Sequence, residues 1–139
     1  MLAAFPLLAL PVLLYNLLVL TIGGGFGGAA GQRLTQPLIS LKMASHAVWA
    51  VSLGDILIAG SMLILFAELL KSAGTRRIAI LNHSLSMILF IVCLIEFLLF
   101  PAFATSIFFL IGLMVLLDVL AGFVVTIIAA RREVDFRPE

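Results

Sequence analysis

Charge is scarce in this chain: Asp, Glu, Lys and Arg together make up 11% of its 139 residues, whereas 64% are hydrophobic. Soluble domains carry about a quarter charged residues, so the composition excludes an ordinary water-soluble globule, and the mean hydropathy of +1.33 agrees. Basic residues are too few and too scattered to form a face for nucleic acid. Cysteine is limited to Cys93, inside an apolar run, so neither an intramolecular disulfide nor a cysteine metal motif can be built. A GK[ST] phosphate loop is also absent.

Long apolar runs are what the chain has in abundance. They cover about residues 5–22, 44–70, 78–100 and 106–130, each near the ~20 residues a helix needs to cross a bilayer. Unpaired backbone is not tolerated in lipid, so such segments form helices or a closed barrel, and the alternation of a barrel is missing. The expectation is one all-α domain, a polytopic membrane protein with a four-transmembrane-helix bundle. Between the second and third runs, Gly74 can end one helix and Thr75 can cap the next. Pro101 ends the third helix, and Thr105 or Ser106 can start the fourth. Pro11 predicts a kink in the first helix. That run lacks a preceding Lys or Arg and exceeds a usual signal-peptide core, so it reads as a retained helix.

Lys71, Arg76, Arg77, Arg131, Arg132 and Arg137 fall on one side of a four-span arrangement, and Arg33 and Lys42 on the other. The positive-inside rule then places both termini in the cytoplasm, with a Gly-rich outer loop at 23–43 and a cytoplasmic tail at 131–139. Arg76, Arg77, Arg131 and Arg132 read as membrane-surface anchors. Trp49, Tyr15 and the Phe-rich stretch 100–109 read as outer-interface aromatics. Gly23, Gly25 and Gly28 satisfy G-x-G-x-x-G, but without the flanking strand and helix of a nucleotide fold; the reading is a flexible outer linker, with Gly23/Gly27 and Gly24/Gly28 as weak helix-packing pairs. His46 and His83 differ in expected depth by about 25 Å at 1.5 Å per residue, too far for one haem iron. His46 reads as interfacial, and His83 as bonded near Ser86 or titrating near the inner surface.

Four polar residues fall at membrane depth: Asn16, Asp55, Glu96 and Asp118. Acids there are costly and normally face a protein interior. The expectation is one polar layer in the outer half of the bilayer, acting either as interhelical hydrogen-bond glue or as a proton or cation site. Helical spacing groups Ser45, Ser52, Asp55, Ala59 and Met62 on the second helix. It groups His83, Ser86, Phe90, Cys93 and Glu96 on the third, and Asp118, Gly122 and Thr126 on the fourth. Two short parallels, Asn16 with Glu96 and Asp55 with Asp118, suggest an old duplication of a helical hairpin.

Leu53-Gly-Asp55, Glu68-Leu-Leu-Lys-Ser72, His83-Ser-Leu-Ser-Met87, Leu94-Ile-Glu-Phe-Leu-Leu99 and Asp118-Val-Leu-Ala-Gly122 resemble uncharacterised small four-helix inner-membrane proteins of proteobacteria. The resemblance covers the last three helices, implies a bacterial inner-membrane location and brings no catalytic residues. The chain departs from the small multidrug transporters, which place an essential acid in the first helix where Asn16 stands here. The residues lack a nucleophile–base pair or metal cluster. The functional expectation is therefore a non-enzymatic accessory, assembly or scaffold subunit, packed against itself or a larger energy-converting complex. Such a subunit binds lipid, with a quinone or pigment contact at a helix interface, and needs no cofactor of its own. The second expectation is a small proton- or cation-coupled transporter or channel using the intramembrane acids.

Overall fold

A computed structural model describes residues 5–22, 24–26, 30–72 and 76–135, without the side chains of 72, 76–80 and 129–135. Its elements run α1 (Ala9–Thr21), α2 (Ala30–Leu34), β1 (Pro37–Lys42), β2 (Val48–Ser52), α3 (Leu53–Ser72), α4 (Arg76–Leu99), a 3-10 turn (Pro101–Phe103) and α5 (Ser106–Asp135). Within α3, α4 and α5 lie segments of 19, 19 and 23 residues, each long and apolar enough to cross a membrane. The 13 residues of α1 reach about 20 Å. Helix α5 is the centre of the bundle, with 44% of its span buried against 22% for α3 and 17% for α4. Most of the apolar surface of α3 and α4 thus faces outward, as expected of helices that bury their backbone in lipid rather than their side chains in a core.

The first apolar run begins its helix at Ala9 rather than at residue 5. Pro11 consequently falls in the first turn, where its missing N–H has no intrahelical acceptor to leave. The carbonyl of Leu7 accepts instead from Leu10 N–H at 3.0 Å, and the expected loss of a bond at Pro11 does not occur. Beyond α1, Gly24 and Gly25 take φ of 75° and 91°, a conformation open to residues without Cβ. Phe26 then stacks on Phe103, and its carbonyl accepts the Ala102 N–H at 3.1 Å. These positions and the buried Ala30 and Leu34 of α2 make this connection a packed segment, in contrast to the expected loose linker. Helix α1 ends at Thr21, so Gly24 is not part of a helical glycine pair; Gly23, Gly27 and Gly28 lie outside the described residues, as do Gly74 and Thr75.

The second expected helix is shorter at its start by nine residues. Residues 48–52 form β2, antiparallel to β1, with Ile39 opposite Val51, Leu41 opposite Trp49 and Lys42 opposite Val48. The tip closes through Met43 N–H to Ala47 O at 2.8 Å, with His46 at φ 65°. A type I turn followed by one left-handed residue is a common three-residue hairpin loop, and His is among the residues enriched in that conformation. His46 is therefore a turn residue and does not start a helix. At the other end of the chain, helix continues to Asp135, since Arg131 and Arg132 are good helix formers with no Gly or Pro among the residues up to Asp135.

The core is aromatic at the hairpin end. Tyr15, Phe103 and Phe108 are fully buried, with ring centroids 4.8 to 5.5 Å apart. Tyr15 hydroxyl donates to Ala102 O at 3.1 Å and pairs with Thr105 Oγ1 at 2.7 Å. Tyr15 is thus a core residue rather than an interface aromatic. Thr105 Oγ1 also accepts Phe108 N–H at 3.1 Å and so caps α5.

Candidate intramembrane polar site

The four polar residues do not form one layer. Asp55 is the third residue of α3 and is exposed. Its Oδ2 accepts Ser52 N–H at 2.8 Å and Ser52 Oγ–H at 2.6 Å, while Asp55 N–H donates back to Ser52 Oγ at 3.2 Å. This reciprocal pairing is a capping box, which satisfies free N–H groups at a helix start. Asp55 is thereby removed from the set of buried acids. The spacing Ser52-x-x-Asp55 carried this information in the sequence.

Near the same end, Asn16 Nδ2 donates to Glu96 Oε2 at 3.3 Å, joining α1 to α4. The two residues paired by the suspected repeat therefore meet. Asp55 and Asp118 occupy unlike places, one at a helix start and one in mid-helix, so the repeat does not extend to them.

The third setting lies deeper. Asp118 is fully buried, and its Oδ2 is 2.6 Å from Ser86 Oγ. Ser86 and Glu96 are ten residues apart on α4, placing Asp118 about 15 Å beyond Glu96 along the bundle. Asn82 is one turn further, also fully buried, and its Nδ2 donates to Glu68 Oε1 at 2.5 Å. Glu68 has no exposure; it accepts Leu7 N–H on Oε2 at 2.5 Å and pairs with Lys71 Nζ at 3.0 Å. Lys71 Nζ also donates to Phe5 O at 2.6 Å. Glu68, Lys71, Asn82, Ser86 and Asp118 thus link α3, α4, α5 and the turn before α1.

Glu68 and Asn82 were missed as functional candidates because each sits near a helix end by residue count. Their signal was the spacing Leu57, Ser61, Glu68 on α3, the face that is in fact buried. The face assigned to α3 from Asp55, Ala59 and Met62 is exposed. On α4 the expected stripe is largely correct, with Ser86 and Cys93 buried and Phe90 and Glu96 half-buried. On α5, Asp118 and Gly122 are buried and Thr126 is exposed.

His83 does not bond Ser86. Its ring lies against Gly122, where an added Cβ would overlap it, and neither ring nitrogen has a hydrogen-bond partner among the described residues. Asn82 Oδ1 and Asp118 Oδ1 are likewise buried without a partner there. The side chains of Arg76, Arg77, Arg131 and Arg132, expected as surface anchors, lie outside the described residues, as does Arg137. Among the described residues no three His, Cys, Asp or Glu side chains are grouped to hold a metal.

Chemically, the deep cluster can hold helices together or hold a proton. Ser86 has one hydroxyl hydrogen but two acceptors in reach, Asn82 O at 3.0 Å and Asp118 Oδ2 at 2.6 Å. Both contacts are satisfied together when Asp118 carries a proton and donates to Ser86 Oγ, leaving Ser86 to donate to Asn82 O. The class defined by fold and site is a helical membrane protein with a buried, chain-crossing polar cluster. No protein-family model, curated protein or solved structure matches the chain.

Proposed function

We propose that the chain is a four-span protein of a bacterial inner membrane, with both termini cytoplasmic, serving as a non-enzymatic accessory, assembly or scaffold subunit. Its partners are bilayer lipid and either further copies or the subunits of an energy-converting complex, with room for a quinone or pigment at a helix interface. The observation that carries this reading is the outward-facing apolar surface of α3 and α4, whose spans are 22% and 17% buried, while Asp55, Glu68, Glu96 and Asp118 are each bonded within the chain. Glu68, Glu96 and Asp118 act in this way as crosslinks between helices, each interhelical bond being worth about 0.6 kcal/mol, whereas Asp55 caps its own helix. The fourth span is supported by α1, whose preceding turn meets Glu68 and whose Asn16 reaches Glu96, near opposite ends of the bundle.

Purification from the native membrane in mild detergent tests the proposal. A defined set of co-purifying membrane subunits, or a stable homo-oligomer, is the expected result; a lone monomer in several detergents overturns it.

A second reading is favoured by the Ser86 geometry and by the unpartnered Oδ1 of Asp118: a proton- or cation-coupled transporter using Glu68 and Asp118, with Glu96 nearer the other face. Proton flux into proteoliposomes that falls to background with Glu68→Gln and Asp118→Asn supports it. Flux unchanged by both removes it.

A further inference from the structure

The hairpin β1–β2 stands clear of the bundle. Ile39, Leu41 and Trp49 are 55%, 45% and 52% exposed. The register places Ile39 with Val51 and Leu41 with Trp49, so these four side chains share one wholly apolar face, while Ser40, Ala50, Lys42 and the exposed Val48 fall on the other, mixed face. An isolated two-stranded hairpin is marginal in water, and an apolar face of this kind needs a cover.

We infer that the cover is the membrane surface itself: the hairpin lies in the headgroup layer at the face where α3 begins, with Trp49 and Leu41 directed into lipid and Lys42 near phosphate. Two observations select lipid. First, β2 ends at Ser52 and α3 starts at Leu53 with no residue between them, so the hairpin base is held where the helix enters the membrane. Trp49 is four residues away, at most about 14 Å of strand, whereas the headgroup layer is only about 5–8 Å deep on each side. A hairpin standing upright would lift Trp49 into water, and one lying down keeps it where Trp is enriched. Second, the first 54 residues contain no Asp or Glu, and Arg33 and Lys42 are exposed. A second copy docked here would bring these cations together, and the first acid along the chain, Asp55 at the hairpin base, already has its Oδ2 engaged by Ser52. Anionic headgroups supply that partner.

Trp49 is the one tryptophan of the chain, so its emission reports this surface directly. The full protein is reconstituted into vesicles of phosphatidylglycerol and phosphatidylcholine carrying acyl bromines at shallow or deep positions. The proposal depends on insertion of α3, which is read separately by flotation after a carbonate wash. Expected are a blue-shifted emission, stronger quenching by shallow than by deep bromines, and protection from aqueous iodide. Lys42→Glu and Leu41→Ser should each shift emission to the red and restore iodide access in a protein that still floats. Iodide quenching of the unaltered protein without bromine quenching overturns the proposal. So does Trp49 shielding that follows protein density rather than bromine depth, which would indicate a second copy, and so does failure of the protein to float.

Discussion

Glu68 joins more of the molecule than any other acid described, since its carboxylate holds Lys71, the Asn82 amide and the Leu7 N–H at once. Removing one partner of a buried ion pair costs about 3–5 kcal/mol because the other charge and its donors are stranded. Glu68→Ala should therefore unfold at markedly lower denaturant in detergent micelles. Asp118→Asn keeps an oxygen and an N–H toward Ser86, and its loss should stay near 1 kcal/mol in the same titration. At the aromatic core, Tyr15→Phe keeps the rings but deletes the bonds to Ala102 O and Thr105, with an expected cost of about 1–2 kcal/mol. Depth along the helices put Asn16 and Glu96 in the same half of the membrane, while their direct contact emerges only from the packing of α1 on α4. Asp55 was misplaced because its depth was counted from an assumed helix centre, and Glu68 was passed over because depth counting alone treats a residue near a helix end as solvated.

Among the elements, the hairpin explains how far the sequence could be read. Residues 44–47 are Ala, Ser, His and Ala, with none of the Gly, Asn or Pro that mark turns, so the apolar pattern runs unbroken into α3. Only the left-handed His46, which turns β1 into β2, and the Ser52–Asp55 capping box, where β2 passes into α3, mark the boundaries. By contrast, Pro101 and Thr105 announced the α4–α5 junction, and both helices begin within two residues of expectation. Ser52→Ala should cost about 1 kcal/mol and speed amide exchange in the first turn of α3, as read by hydrogen exchange. Glycine position offers a paired comparison. Gly122→Ala would push into the His83 ring, whereas nothing lies within 4 Å of a Cβ at Gly60. Gly60→Ala should raise stability by about 0.5–1 kcal/mol in thermal melts, and Gly122→Ala should lower it.

For the whole molecule, the apolar composition and four long runs already pointed to a helical membrane protein; three of the runs contain helices long enough to span a membrane, and α5 as the centre emerged only from packing. The proposed orientation has a direct check. In a Cys93→Ser background, His46→Cys and Arg132→Cys should react with a membrane-impermeant maleimide from opposite sides of sealed vesicles, as three crossings between them require; labelling from one side would mean an even number of crossings. The clamp of Glu68 and Lys71 on Leu7 and Phe5 also orders events during synthesis. Bonds spanning 61 and 66 residues cannot form until α3 has left the ribosome. Helix α1, at about 20 Å, is short to settle in a bilayer unaided. Its final seat is therefore a late step of biogenesis, waiting on a glutamate that is made long after it.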